Sequence, residues 1–279
     1  MDLKLNISGS TRFGGLIGRG ISHSLSPLIH NTSAALLGLD LVYLPFDCVE
    51  PPNEAFFESM LTANCYGFNV TVPYKETVAQ VLSGHSAKPS LSCNTLIPRT
   101  THWEVTSTDA DGFIAGLLEM GSKLEDFSAF IFMGYGGAAK ALISMIQFQR
   151  PQQSVFVMQR NLSADAIGAS GIQRVKFEAS ELETLLKKYP DSLLIQCTSA
   201  PLRGDNLSRF CPVLKSLRGG FVDLVYGSPS ALLAGSAKLK IPCQDGIPML
   251  IHQALLSQKL WWGRAASFSD IKSAVARQS

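Results

Sequence analysis

At 279 residues the chain is longer than one ordinary domain requires and about right for two. Hydrophobic residues make up 46% and charged residues 16%, which supplies material for sizeable cores and excludes a disordered chain. Lysine and arginine number 24 against 22 acids, a net charge of +2 without a clustered basic face, so the electrostatic footprint of a nucleic-acid binder is missing.

Taken in order, Phe13 to Gly18 reads as a first strand and Pro27 to Leu37, apolar at helical spacing, as the helix after it. His23-Ser24-Leu25-Ser26-Pro27 joins them. Two hydroxyls near a helix start can both donate to one carboxylate; equally, Ser26 before Pro27 makes a simple N-cap. Leu41 to Cys48 is a second strand, Glu54 to Ala63 a helix, and Gly67 to Val72 a third strand. Strand alternation puts Asn69 and Thr71 on one face, opposite Val70 and Val72. Pro73 then opens a helix whose first turn carries Lys75, although a cation opposes the dipole there. A lysine set against a local preference suggests a task; pairing with a neighbour such as Glu76 is the plain alternative. Asn94 to Pro98 and His102 to Ser107 form a strand pair, and Gly112 to Met120 a helix capped by Asp109 or Asp111.

The second half starts afresh. Ala129 to Met133 is a continuous apolar run, as expected of a strand covered on both faces. It leads through Gly134-Tyr135-Gly136-Gly137-Ala138-Ala139 into a helix reaching about Phe148. A glycine turn between strand and helix suits a dinucleotide: Gly134 for the tight turn, Gly136 for close backbone approach, Ala139 for helix–strand packing. Ser154 to Met158 is the next strand, ending in Gln159-Arg160-Asn161. An acid there would hold the ribose hydroxyls of NAD; an arginine attracts the ribose phosphate of NADP instead. Leu182 to Lys188 and Pro248 to Trp262 read as helices, Leu193 to Cys197 and Phe221 to Val225 as strands. The alternation of strand and helix predicts an α/β protein, with a boundary near Ser122. A cleft that closes on ligand is expected of such a layout.

The six cysteines are scattered, without zinc-ligand spacing, and predict buried free thiols in a reducing compartment and no metal. The N-terminus lacks a charged-then-apolar leader and no stretch is long and apolar enough to span a bilayer, so the expectation is a cytoplasmic protein without membrane or nucleic-acid partners.

Taken together, Ser24-Leu25-Ser26-Pro27, Asn69-Val70-Thr71-Val72-Pro73-Tyr74-Lys75-Glu76, Asn94-Thr95, Asp111-Gly112, the glycine loop Gly134 to Ala138 and the C-terminal Asp245-Gly246, Met249-Leu250 and Gln253 resemble the shikimate dehydrogenase family. The resemblance covers nearly the whole chain in one order. It implies an N-terminal α/β substrate domain over 1–121, a Rossmann-like dinucleotide domain over 122–245, and helices over 246–279 that return to the first domain. It further implies that Ser24 and Ser26 hold the substrate carboxylate, with Tyr226 near it. Thr71, Asn94, Asp111 and Gln253 would meet ring hydroxyls, Asn69 would join them in binding substrate, and Lys75 with Asp111 would be the catalytic pair. Gly134, Gly136, Gly137, Ala138, Gln159, Arg160, Asn161, Leu224 and Gly246 would line the cofactor, NADP with NAD possible. The activity implied is reversible reduction of 3-dehydroshikimate to shikimate by a monomer or homodimer.

The chain departs from the family pattern in places. Gln159-Arg160-Asn161 stands for the usual Asn-Arg-Thr, and Leu162 to Asp165 lacks a second basic residue. Gly84 to Cys93 is shortened, Gln196 to Ser199 replaces Asn-Ala-Thr, Tyr226 to Ser230 lacks the usual Thr-Pro, and Pro248 replaces a small residue. Three other readings compete: a quinate dehydrogenase using NAD, a folate-type methylene dehydrogenase, and a catalytically silent relative that senses shikimate-like metabolites.

Overall fold

The computed structural model describes residues 7–82, 92–161, 171–228 and 230–278. Met1 to Asn6, Leu162 to Asp165, Pro229 and Gly84 to Leu91 lie outside the described residues. The chain divides into two compact units, Met1–Gly112 with Leu250–Ser279, and Phe113–Met249. The sequence suggested divisions after 121 and after 245; both observed divisions fall inside helices instead.

The first unit holds β1 (Arg12–Gly18), α1 (Ser26–Leu36), β2 (Leu41–Asp47), α2 (Glu54–Thr62), β3 (Cys65–Val70), α3 (Lys75–Val81), β4 (Thr95–Pro98) and β5 (Trp103–Thr106). Its sheet runs β2-β1-β3-β4-β5, with β1 parallel to both neighbours and β4 antiparallel to β3 and β5. Ile17, Phe57, Phe68, Val70, Val78, Leu96 and Trp103 pack together beside this sheet.

The second unit holds β6 (Ala129–Met133), α5 (Gly137–Gln149), β7 (Ser154–Gln159), β8 (Ile172–Lys176), α6 (Ala179–Lys188), β9 (Leu193–Gln196), β10 (Gly220–Asp223), α7 (Ala231–Lys238) and β11 (Cys243–Gln244). All its strand pairs are parallel, in the order β11-β10-β9-β6-β7-β8. That is the doubly wound order, in which the chain switches direction across the sheet between β6 and β9. Both faces of β6 are buried, as its unbroken apolar run requires. Leu182, Leu185 and Leu186 give α6 one apolar stripe over Phe156, Met158 and Leu194.

Two helices span the divisions, α4 (Asp109–Glu119) and α8 (Ile247–Trp262), and α9 (Phe268–Ala276) then packs on α1. The returning end of α8 fits the first sheet because Gly67 has no side chain: a Cβ there would collide with the Trp261 indole. Trp261 Nε1 donates to the Leu96 carbonyl at 2.9 Å. Among the described residues no helix is long and apolar enough to cross a membrane.

His30 on α1 is buried beneath this seam and stacks on Tyr43, ring centroids 4.1 Å apart and planes 12° from parallel. Burial pushes its pKa from 6.5 down to about 3. The fold therefore keeps His30 neutral. Stability should be complete above pH 6.5 and fall as the pH drops toward 3, because only the unfolded chain takes up the proton in that window. The slope from this one group approaches about 1.4 kcal/mol per pH unit. Urea unfolding at pH 5 and pH 7 should show a smaller pH difference in His30→Gln than in the native protein; an equal difference would refute the assignment.

Candidate active site

Strands β1 and β3 are neighbours, and the chain leaves both at the same edge. The Thr71 amide donates to the Ile17 carbonyl at 2.8 Å and Arg19 to the Val72 carbonyl at 3.3 Å, which ties the two exits together. One exit leads to Ser24 and Ser26, the other to Thr71 and Lys75. The Ser26 amide donates to Ser24 Oγ at 3.2 Å. The N-cap of α1 is Leu25, and no side chain caps the helix. Ser26 is thus not the simple N-cap that the sequence allowed. The two hydroxyls stand together at the start of α1 as one donor group suited to an anion.

Lys75 is the first residue of α3. Its ammonium donates to Asp109 Oδ2 at 2.6 Å, and only 15% of the Lys75 side chain and 9% of the Asp109 side chain are exposed. The other carboxylate oxygen, Oδ1, accepts from Asn94 Nδ2 at 2.8 Å. Asn94 is itself fixed: its Oδ1 accepts from the Thr108 amide at 2.8 Å, and its Nδ2 donates to Gln253 Oε1 at 3.1 Å. Thr108 Oγ1 in turn donates to the Gln253 carbonyl at 3.0 Å. Asn69 Nδ2 donates to the Asn94 carbonyl at 2.9 Å, and Tyr43 OH donates to Asn69 Oδ1 at 2.8 Å. Cys93 Sγ lies 3.5 Å from the Lys75 carbonyl; burial raises this thiol to about 12, which keeps it neutral.

The expected partner of Lys75 was Asp111, and the structure corrects this. Both acids lie in the first turn of α4, so neither precedes it as a cap. Two residues turn a helix by about 200°, so the two carboxylates face opposite ways. Asp109 is buried against Lys75 and Asn94, whereas Asp111 is exposed. The missed signal was register: one acid per turn can face Lys75, and Thr108, which binds Asn94, fixes that face for its neighbour Asp109.

In the second unit the glycine loop stands at the switch of strand order. Gly134 has φ +109, and a Cβ on it would lie 2.6 Å from Thr198 Cγ2 at the end of β9. Gly136 is the N-cap of α5; no side chain caps the helix, and its first turn carries no acid. A Cβ on Gly136 would meet nothing within 4 Å, so the loop leaves an open cradle in front of free amides. This is the chemistry a pyrophosphate requires. Gln159 ends β7, and Arg160 and Asn161 follow it, exposed. Leu224 and Gly246 are brought together: a Cβ on Gly246 would collide with the Leu224 carbonyl. Asp223, at the end of β10, accepts from the Val225 amide at 3.1 Å and the Ser230 amide at 2.8 Å, which shapes the loop carrying half-buried Tyr226. Among the described residues no group of histidine, cysteine, aspartate and glutamate side chains could hold a metal ion.

Comparison with known proteins bears on this arrangement. The family model described as the shikimate dehydrogenase substrate binding domain matches residues 16–96. The NADP(+)-dependent shikimate dehydrogenase of Thermosynechococcus vestitus is 32% identical, over 96% of this chain and 96% of that one. The chain belongs to the shikimate dehydrogenase family. The Thermus thermophilus member, solved in complex with NADP(H) and shikimate, is 27% identical with a TM-score of 0.78, covering 96% of this chain and 99% of that one. A quinate dehydrogenase from Corynebacterium glutamicum, solved with NAD, shares the fold at 22% identity and a TM-score of 0.80, covering 96% of this chain and 99% of that one.

Gly112 sets the approach of α4 to α8. A Cβ there would lie 2.7 Å from Gln253 Cβ and 2.8 Å from the Gln253 amide nitrogen. Alanine in a helix interior ordinarily gains about 1 kcal/mol over glycine. Here the clash is with backbone, so Gly112→Ala should instead destabilise the family member by about 1–3 kcal/mol. A thermal melt at or above the native Tm would contradict this packing.

Proposed function

We propose that the protein is an NADP-dependent shikimate dehydrogenase that reversibly reduces the ring ketone of 3-dehydroshikimate. The observation that carries this reading is the buried Lys75–Asp109–Asn94 chain of charge and hydrogen bonds within the unit whose sequence matches the family's substrate domain. Ser24 and Ser26 bind the substrate carboxylate through their hydroxyls. The Lys75 ammonium faces the ketone oxygen. As negative charge grows on that oxygen, the ammonium stabilises it and delivers the proton. Asp109 aims the ammonium with one oxygen and keeps the remaining lone pairs for a neighbouring ring hydroxyl. Thr71 and Gln253 complete substrate recognition within the first unit.

The cofactor brings hydride to the ketone carbon when bound. Gly134, Gly136, Gly137 and Ala138 hold its pyrophosphate on the amides of α5, and Leu224 and Gly246 pack beside it. Arg160 binds the ribose phosphate, with Gln159 and Asn161 beside it. The first unit is thus the substrate unit and the second the cofactor unit. We place the enzyme in the cytoplasm, where six free cysteines stay reduced, as a monomer or homodimer.

Absorbance of the reduced nicotinamide, followed with shikimate or quinate and with NADP or NAD, tests the reading directly. Shikimate with NADP should turn over fastest, and silence in every combination would end the proposal. Lys75→Ala and Asp109→Asn should each lower kcat by about 10²–10⁴-fold with KM less affected. Asp111→Asn should stay within about twofold of the native enzyme. An unchanged kcat in Lys75→Ala or Asp109→Asn would remove that residue from the mechanism. Ser24→Ala should act mainly on KM for shikimate; a pure kcat defect would place the carboxylate elsewhere.

A further inference from the structure

The chain offers Arg160 for the ribose phosphate and then, from Asn161 to Gln173, neither lysine nor arginine. The next basic residue is Arg174, on β8. Val175 packs into the core of the second unit, so strand alternation turns Arg174 to the opposite face of the sheet. There its guanidinium lies 5.2 Å from the centre of the Tyr135 ring, and Lys140 Nζ lies 5.8 Å from the same ring. Tyr135 stands between the two glycines that shape the phosphate cradle.

Register puts Tyr135 and Arg160 at one level. Met133 on β6 pairs with Met158 on β7, so Tyr135 and Arg160 both lie two residues beyond that pair. Arg174 pairs with Val157, three residues before Arg160, and its guanidinium lies over the ring of Tyr135, which stands at the level of Arg160. A guanidinium laid on an aromatic face keeps its in-plane N–H groups for hydrogen bonds, so the ring holds the cation without using its donors. Among the described residues Arg174 has no ion-pair partner. A ribose phosphate is a dianion at neutral pH and one exposed arginine neutralises half of it.

Resting on the NADP reading above, we propose that Arg174, held on Tyr135, is the second cation for the 2′-phosphate and with Arg160 sets the preference for NADP over NAD. It takes its place from the third strand of the sheet rather than from the segment that follows Arg160. Arg174 acts only on the phosphate, so its removal weakens ligands that carry one and spares those that do not.

Calorimetric titration with 2′,5′-ADP and 5′-AMP tests this without turnover. The native protein should bind 2′,5′-ADP more tightly than 5′-AMP. Arg174→Gln should weaken 2′,5′-ADP by about tenfold or more and leave 5′-AMP within about twofold, while Tyr135→Phe, which keeps the ring, stays near native. Arg174→Lys keeps the charge without the fork and should fall between Arg174→Gln and the native protein. Equal weakening of both nucleotides by Arg174→Gln would make the residue a prop for the glycine loop, and unchanged binding of both would remove it from the site; either result overturns the proposal. A native protein that binds the two nucleotides alike would instead sink the NADP reading, and this inference with it.

Discussion

A lysine ammonium and an aspartate carboxylate 2.6 Å apart, both largely shielded from water, set the terms for the first unit. Taking both charges out of water costs several kcal/mol per ion, and their attraction offsets that cost only when the remaining lone pairs are satisfied. The Asn94 amide meets that condition on Asp109, and Asn94 is held in turn by Thr108 and Gln253. One charge pair therefore enlists β4, α4 and α8 around α3. An apolar pair of the same volume would fold at least as well. The pair makes sense as a poised hydrogen-bond donor, aimed by a carboxylate that cannot swing away.

The second unit solves a different problem with backbone alone. A dinucleotide's phosphates would need donors that do not move, and the first turn of α5 offers amides of that kind because Gly136 leaves its N-terminus without a side-chain cap. The loop reaches that helix from β6 at the point where β9 turns to the other side, which opens room over the sheet edge. Thr198 packs so closely on Gly134 that any larger residue there would displace the loop.

Much of this was legible in the sequence because it is local. The apolar run Ala129 to Met133 and the glycines after it specify a buried strand, a turn and a helix without reference to the rest of the chain, and they fold as read. Lys75 at a helix start was legible for the same reason. Its partner was not. Asp109 and Asp111 differ by about 200° of helix rotation, and which one faces α3 depends on where α4 begins, a choice made by the Thr108–Asn94 bond across the β4–β5 strand pair, which no local pattern around α4 reveals. Strand β8 was missed because it is an edge strand: Gln173, Arg174 and Lys176 carry polar groups that a paired inner strand would exclude.

The hydrogen bonds already made divide the polar residues of the first unit by role. An asparagine amide has two donors and two acceptor lone pairs. Asn69 shares the two N–H groups of its Nδ2 among the Asn94 carbonyl, Thr95 Oγ1 and Ser257 Oγ, and its Oδ1 receives Tyr43. Asn94 is as heavily engaged. A ligand hydroxyl could reach either amide only by displacing a bond that already exists, which returns part of the gain. Lys75 has two N–H groups beyond the one given to Asp109, and Ser24, which accepts from Ser26, keeps its own proton to donate. These donors stay available while the amides behind them are spent on each other. Rim positions can therefore be altered one at a time, whereas either asparagine would carry its neighbours with it.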